Sequence, residues 1–306
     1  MDLYLPIAGL SVNVPVIVLL GFGVGFLSGM LGVGGGFLTT PLLIFYGVPP
    51  AVAVASSAPQ IMGSSVSGML AHWRMGGVDR RMGAVLVAGG LAGAVLGSRI
   101  FEWLKQAGQT DSVISIAFVV LLGGVGGLML RDSIVALRGA RGADKPPRRR
   151  LRAHNPLFAS LPGRVRFYGS GIYLSPLGPF LIGLAVGVLT VIMGIGGGFI
   201  LVPAMIYLLG MATRVVVGTS LFQIVFVTAA TTMVHAVNSG TVDIVLAALL
   251  LAGGVIGAQY GASAARRLPA DKLRLLLALV VLGFALRLVW QLTVQPPQMF
   301  TVETIG

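Results

Sequence analysis

Residues 21–50 read GFGVGFLSGMLGVGGGFLTTPLLIFYGVPP, and residues 183–212 read GLAVGVLTVIMGIGGGFILVPAMIYLLGMA. At a constant offset of 162 residues, Gly32 falls on Gly194, and Gly34, Gly35 and Gly36 fall on Gly196, Gly197 and Gly198. Phe37 falls on Phe199 and Pro41 on Pro203. With small shifts of offset the match runs on, pairing His72 with His235, Gly77 with Gly240 and Asp79 with Asp243. It then pairs Ala88, Gly89 and Gly90 with Ala252, Gly253 and Gly254, and Gly93 and Gly97 with Gly257 and Gly261. Glycine-rich apolar sequence resembles itself by chance. A run that also keeps proline, phenylalanine, histidine and aspartate in order does not. The chain therefore reads as two related halves, 1–133 and 172–306, joined by a segment at 134–171.

The medium these halves suit follows from composition. Of the 306 residues, 56% are hydrophobic and 10% charged, and the mean hydropathy is +0.95. Soluble domains carry about a quarter charged residues, so this chain belongs in hydrocarbon. A bilayer crossing takes about 20 apolar residues as helix, and the stretches 14–31, 51–73, 83–101, 112–130, 172–193, 241–265 and 273–292 qualify. The absence of cysteine excludes disulfides, thiolate metal sites and cysteine nucleophiles. Three scattered histidines (His72, His154 and His235) make no zinc cage, and neither a metal nor another cofactor is expected. The net charge of +12 sits in short loops between apolar spans, which points to the membrane rather than to nucleic acid. No cleavable signal peptide is expected, because residues 1–13 lack a basic start.

Charge also orients the halves. Arg74, Arg80 and Arg81 follow His72, whereas AVNSGTVD after His235 has no basic residue. One loop on, the bias reverses. Arg99, Glu102 and Lys105 nearly balance, while the matching loop holds Arg266, Arg267, Lys272 and Arg274. Equivalent loops then face opposite sides by the positive-inside rule, which is an inverted-topology repeat. The expected fold is an all-α polytopic membrane protein of two inverted repeats. Each has five membrane segments, near 14–32, 35–47, 50–73, 82–104 and 112–133, then 172–193, 197–209, 212–236, 241–265 and 270–292. They are expected to cross in succession, although the second of each half is too short to span alone. Both termini then lie outside. The linker 134–171, with nine Lys and Arg, is expected in the cytoplasm, its ADKPPRRRLR disordered or bound to anionic headgroups and its RVRFYGSGIYL forming a hairpin or interfacial strand.

The chemistry is expected at the glycines. Consecutive glycines interrupt a membrane helix, each costing about 1 kcal/mol relative to alanine, and exposed backbone at membrane depth must line a cavity or be buried in protein. A short helix starting at such a break turns its N–H groups toward it and attracts anions. The candidate substrate site is therefore Gly34, Gly35, Gly36 and Phe37 with Gly196, Gly197, Gly198 and Phe199. The third segments add hydroxyl and amide donors, of which Ser57, Gln60, Thr219 and Gln223 are expected to face the solute. Close helix crossing is the plainer role for the glycines, and interhelical bonding for the hydroxyls. His72 and His235 are candidates for a proton relay or gate, or plain helix-end residues; Asp79 and Asp243 read as helix N-caps. Arg99 and Arg287 are expected to snorkel to the outer headgroups.

The paired G-[VI]-GGG-F segments, each followed by a proline, resemble the TauE/SafE family of membrane permeases, as do the basic central loop and RVRFYGSGIYLSPLGPFLIG. The resemblance covers essentially the whole chain. It implies transport of sulfur-containing anions such as sulfite, sulfoacetate and other organosulfonates, and it brings no catalytic residues. A secondary transporter in a bacterial-type inner membrane, with no enzymatic role, is the expected function, and a homo-oligomer is possible for such a chain. No Walker A motif is present to use ATP. An anion channel of the same fold is the alternative; only a transporter accumulates solute against a gradient.

Overall fold

The computed structural model describes residues 2–31, 34–139, 165–167, 169–265 and 270–293. Gly32, most of the basic linker with His154, and Arg266 and Arg267 lie outside the described residues, as do the side chains of Lys272 and Arg274.

The first half opens with an antiparallel hairpin, β1 (Asp2–Leu5) and β2 (Leu10–Asn13). The helices α1 (Val14–Leu31), α2 (Gly36–Phe45), α3 (Pro50–Arg74), α4 (Arg80–Gln106) and α5 (Thr110–Gly139) follow. The second half repeats the order. Its hairpin is β3 (Val165–Phe167) and β4 (Ile172–Leu174). Then come α6 (Leu177–Met193), α7 (Gly198–Tyr207), α8 (Thr213–Val234), a π-helical turn (His235–Ser239), α9 (Ile244–Ala265) and α10 (Ala270–Thr293).

The β3–β4 hairpin meets the expectation for RVRFYGSGIYL. Its counterpart β1–β2 was not legible, because four-residue strands with one buried position each give little alternation to read. Yet the 162-residue offset holds between them: Leu5 matches Phe167 and Val12 matches Leu174, all buried, and the turns close at Gly9 (φ 67°) and Gly171 (φ 69°). Later shifts of offset have structural causes. The connection after α7 is one residue longer than that after α2, and a π-helical turn accommodates one extra residue between α8 and α9. With both shifts counted, Gly76 (φ 67°) rather than Gly77 matches Gly240 (φ 60°).

Buried clusters give the path of the chain. Leu5 of β1, Ile17 near the start of α1, Leu43 and Ile44 at the end of α2, Val52 of α3 and Leu246 of α9 form one cluster. The backbone N–H of Asn13 donates to the Tyr46 hydroxyl at 3.1 Å, so α2 ends where α1 begins. Phe167, Ile182, Met205, Val216 and Met82 form the matching cluster where α6 begins and α7 ends. The first two helices of each half thus fold back as a V with the glycine break at its apex, instead of crossing in succession as the sequence suggested. The physical reason is local. Consecutive left-handed glycines reverse the chain, and a ten-residue helix climbs only about 15 Å.

Among the described residues, four segments are long and apolar enough to cross a membrane: Arg80–Gln106, Thr110–Leu128, Val215–Ser239 and Ile244–Gly261. Leu91 and Val95 of α4, Val120 and Leu128 of α5, and Leu286 and Trp290 of α10 are exposed, an outer surface suited to lipid tails. Within it, α1 packs on α9, α6 on α4, α5 on α10 and α3 on α8, pairings related by the repeat. The first two are glycine contacts: Gly25 lies on Gly254 and Gly29 on Ala258, and Gly93 lies on Leu184 and Gly187 on Gly90. Apolar burial drives little between helices in lipid, so close backbone approach supplies the attraction.

Asp79 and Asp243 are N-caps as expected, and each also anchors a hairpin. Asp79 Oδ1 accepts the N–H groups of Arg81 and Met82 at 3.1 Å, and its Oδ2 accepts Ser170 N–H and Oγ–H at 2.8 and 2.7 Å. Asp243 Oδ1 accepts Val245 and Leu246 N–H at 3.1 Å, and its Oδ2 accepts Ile7 N–H at 3.2 Å. Each half thus holds the other's hairpin. Asp79→Ala removes a cap and strands buried donors, so a loss of about 2 kcal/mol or more is expected. A lowered melting temperature of the purified protein checks it, with Asp243→Ala behaving alike. Asp2→Ala, whose carboxylate among the described residues meets an exposed Asn13 amide, should change little.

Candidate functional site

The two glycine breaks meet inside the molecule. Gly34 and Gly35 have φ of 76° and 42°, and Gly196 and Gly197 of 71° and 77°, a region that side chains other than glycine rarely adopt. A Cβ on Gly36 would lie 2.5 Å from the Gly194 carbonyl and 2.7 Å from that of Ile195, so backbone of one break rests on the other. The rings of Phe37 and Phe199 stack at 4.6 Å with 10° between planes, and both are buried. Ile61 of α3 and Ile224 of α8, each near the middle of its helix, pack around the junction.

Two features near this junction bear on what it could hold. Leu38 and Thr39 N–H bond the Gly35 carbonyl, and Ile200 and Leu201 N–H bond that of Gly197. The N–H groups of Phe37 and Phe199 have no acceptor among the described residues. Such orphan donors are the rule at helix starts, and they need a partner away from water. The second feature is a pair of buried amides. Gln60 Nε2 and both polar side-chain atoms of Gln223 have no partner among the described residues. A Cβ on Gly254 would lie 2.8 Å from Gln60 Nε2, and one on Gly90 2.7 Å from Gln223 Nε2, so each amide rests on a glycine of the opposite half.

The remaining candidates are placed as follows. Ser57 Oγ donates to the Val54 carbonyl at 2.9 Å and lies 3.4 Å from that of Gly194, beside the second break. Thr219 is not brought to the breaks. Its Oγ1 accepts Asp79 N–H at 3.0 Å, one turn before Gln223. Ser56, not Ser57, is its match, since Ser56 Oγ accepts Asp243 N–H at 2.9 Å, one turn before Gln60. His72 Nδ1 lies 3.0 Å from the Gly68 carbonyl of its own helix. His235 is buried, with Nε2 2.9 Å from the Val191 carbonyl and its ring edge-on to Phe101. Neither histidine is hydrogen-bonded to a carboxylate among the described residues. Arg99 pairs with Glu102 at 3.7 Å, and Arg287 lies over the Phe45 ring at 5.0 Å.

Thr39 and Thr40 escaped the sequence reading. Both are buried; Thr39 Oγ1 donates to Gln60 Oε1 at 2.9 Å, and Thr40 Oγ1 lies 3.0 Å from Ser57 Oγ. The repeat does not single them out, since GGGFLTTP stands against GGGFILVP.

Broken helices paired at the centre of a duplicated, lipid-faced bundle define a polytopic membrane transporter. The chain belongs to the TauE/SafE family: the family model described as "Sulfite exporter TauE/SafE" matches residues 17–288. It is 31% identical over 281 residues to a "Probable membrane transporter protein" of Xylella fastidiosa (strain Temecula1), covering 90% of this chain and 95% of that one. It is 29% identical over 274 residues to the "Probable membrane transporter protein YjnA" of Bacillus subtilis, covering 89% and 98%. A "Probable membrane transporter protein" of Methanocaldococcus jannaschii is 23% identical over 281 residues, covering 87% and 92%. No solved structure matches the chain.

Proposed function

We propose that the chain is a secondary transporter of a small sulfur-containing anion, sulfite or an organosulfonate, working by alternating access around the joined glycine breaks. The observation that supports this reading is the meeting of the two glycine breaks, where the Phe37 and Phe199 rings stack and the N–H groups of both residues have no acceptor among the described residues. Donors without full charge suit an oxyanion inside a bilayer, because the low local dielectric strengthens their attraction. The family description supplies the sulfur chemistry.

The halves are proposed to be inverted, each with one V and three crossings, which leaves the termini outside and the basic linker in the cytoplasm. A cysteine at Gly76 should then be labelled from the cytoplasmic side and one at Gly240 from outside; both sites are exposed, with open space around an added Cβ. Labelling of both from one side would remove the inversion.

The site itself is tested with Gln60→Ala and Gln223→Ala. Each is expected to weaken binding of sulfite or methanesulfonate about tenfold, the size of one hydrogen bond to a charged group, while the ligand-free melting temperature holds. Wild-type affinity in both variants would reassign these amides to packing.

A further inference from the structure

The second glycine break frees carbonyls as well as N–H groups. Helix α6 ends at Met193, and the left-handed Gly194 (φ 66°) turns the chain out of it. The last carbonyls of a helix have no intrahelical partner. That of Thr190 accepts Gly194 N–H at 2.8 Å. That of Val191 would take Ile195 N–H if the helix ran on, but no such bond forms among the described residues. Its partner comes from the end of α8, where His235 Nε2 lies 2.9 Å away. A carbonyl can only accept, so Nε2 carries a proton and donates it.

His235 is buried and opens the π-helical turn, which α4 of the first half holds in place. Phe101 meets the imidazole edge-on at 4.7 Å between ring centroids. Glu102 accepts the Asn238 amide at 2.9 Å, and Lys105 Nζ donates to the Ser239 carbonyl at 2.9 Å. His72, the counterpart in the repeat, lies within α3, with Nδ1 3.0 Å from the Gly68 carbonyl of its own helix. The backbone that follows Val191 is the second break itself. The carbonyls of Gly194 and Ile195 face Gly36 of the first break, and α7 starts at Gly198.

We propose that His235 is a positioning residue whose Nε2–H caps the broken end of α6. The bond ties the backbone leading into the second break to the π turn, and through that turn to α4 of the other half. Without it a buried carbonyl beside the break is left unpaired. The last turn of α6 then unwinds into the glycines, whose backbone offers little resistance. The Gly194 and Ile195 carbonyls leave Gly36, and the Phe199 N–H loses its place. The role is that of a hydrogen-bond donor and needs no change of protonation. Its consequence for ligand binding rests on the proposed anion site and deepens it; the cap itself does not depend on that site.

The test compares His235→Leu, His235→Gln and His235→Asn in the purified full-length protein. A glutamine amide nitrogen reaches as far as imidazole Nε2 and an asparagine amide only as far as Nδ1, so glutamine keeps the cap and asparagine loses it. Backbone hydrogen exchange without ligand is the first readout, because it reports local opening. Exchange over residues 190–199 should rise about tenfold in the Leu and Asn variants and stay within about twofold of wild type in the Gln variant. Residues 2–13 should keep their wild-type rate in all three, and His72→Leu should leave residues 190–199 unchanged. Methanesulfonate affinity, measured by calorimetry, should fall about tenfold in the Leu and Asn variants and return with glutamine. If His235→Leu does not fold, the Gln and Asn variants carry the comparison. Wild-type exchange over 190–199 in the Asn variant, a Gln variant as fast as the Asn variant, or a rise spread evenly along the chain would overturn the cap. Faster exchange with unchanged affinity would overturn the positioning role. A wild-type protein that binds neither methanesulfonate nor sulfite would overturn the anion site, and the exchange pattern would still decide the cap.

Discussion

Gly197→Leu is expected to abolish transport of sulfite or a sulfonate into proteoliposomes, to below about one-tenth of the wild-type rate. Two costs combine at this position. The backbone has φ 77°, which a side chain other than glycine holds at a cost of about 1–3 kcal/mol. A Cβ there would also overlap the Val186 side chain and lie 3.2 Å from Thr190 Oγ1. Relief requires the break to straighten or α7 to move, and either change displaces the Phe199 N–H and the Phe37–Phe199 stack from the junction. Gly34→Leu should act likewise, since its φ is 76° and its Cβ would lie 2.9 Å from Ile224 Cδ1. Gly47→Leu is the informative control: φ is 101°, but nothing lies within 4 Å of its Cβ. It carries the backbone cost without touching the site. Transport by Gly197→Leu at near wild-type rate would remove the breaks from the mechanism.

Gly25→Leu is expected to stop the protein from assembling at all. On the α1–α9 contact, its Cβ would lie 2.7 Å from Gly254 Cα and 2.8 Å from the Gly254 carbonyl carbon. Both are backbone atoms of a packed helix, so no rotamer change makes room. Overpacking a tight core costs about 1–3 kcal/mol and sometimes more. Here the two helices must separate along a contact that also includes Gly21, Gly29, Gly257 and Gly261, so a loss beyond the upper end of that range is expected. Gly23→Leu, two residues away on the exposed side of the same helix with nothing within 4 Å of its Cβ, should be tolerated. The amount of folded protein extracted from membranes and its melting temperature check the pair. Equal behaviour of the two variants would mean that the glycines of α1 do not set helix distance.

The duplication, the membrane class, the two breaks and the caps were all legible in the chain because each rests on local rules. An apolar run of fixed length, a glycine triplet before a short helix and an aspartate before a helix mean the same wherever they occur. The mostly helical, apolar character of the chain followed from those rules as well. Sequence could not show that α2 returns beside α1, because a short apolar helix after a break reads alike whether the chain continues or reverses. The Asn13–Tyr46 bond and the shared cluster of Ile17 with Leu43 decide it.

The proposed site divides in the same way. The glycines and the paired glutamines could be chosen from the repeat, whose symmetry singles out what both halves share. Thr39 and Thr40 could not, since the repeat lacks them on one side and symmetry discards what it does not find twice. Likewise Ser56 and Ser57 are indistinguishable as letters. Only packing sends Ser56 to the Asp243 N–H and Ser57 to the break. Local sequence rules are enough to mark which segments carry the proposed site, since helix interruption is a property of the local backbone. Tertiary structure decided which side chains reach it, since a one-residue step on a helix turns a hydroxyl by about 100° and so selects its partner.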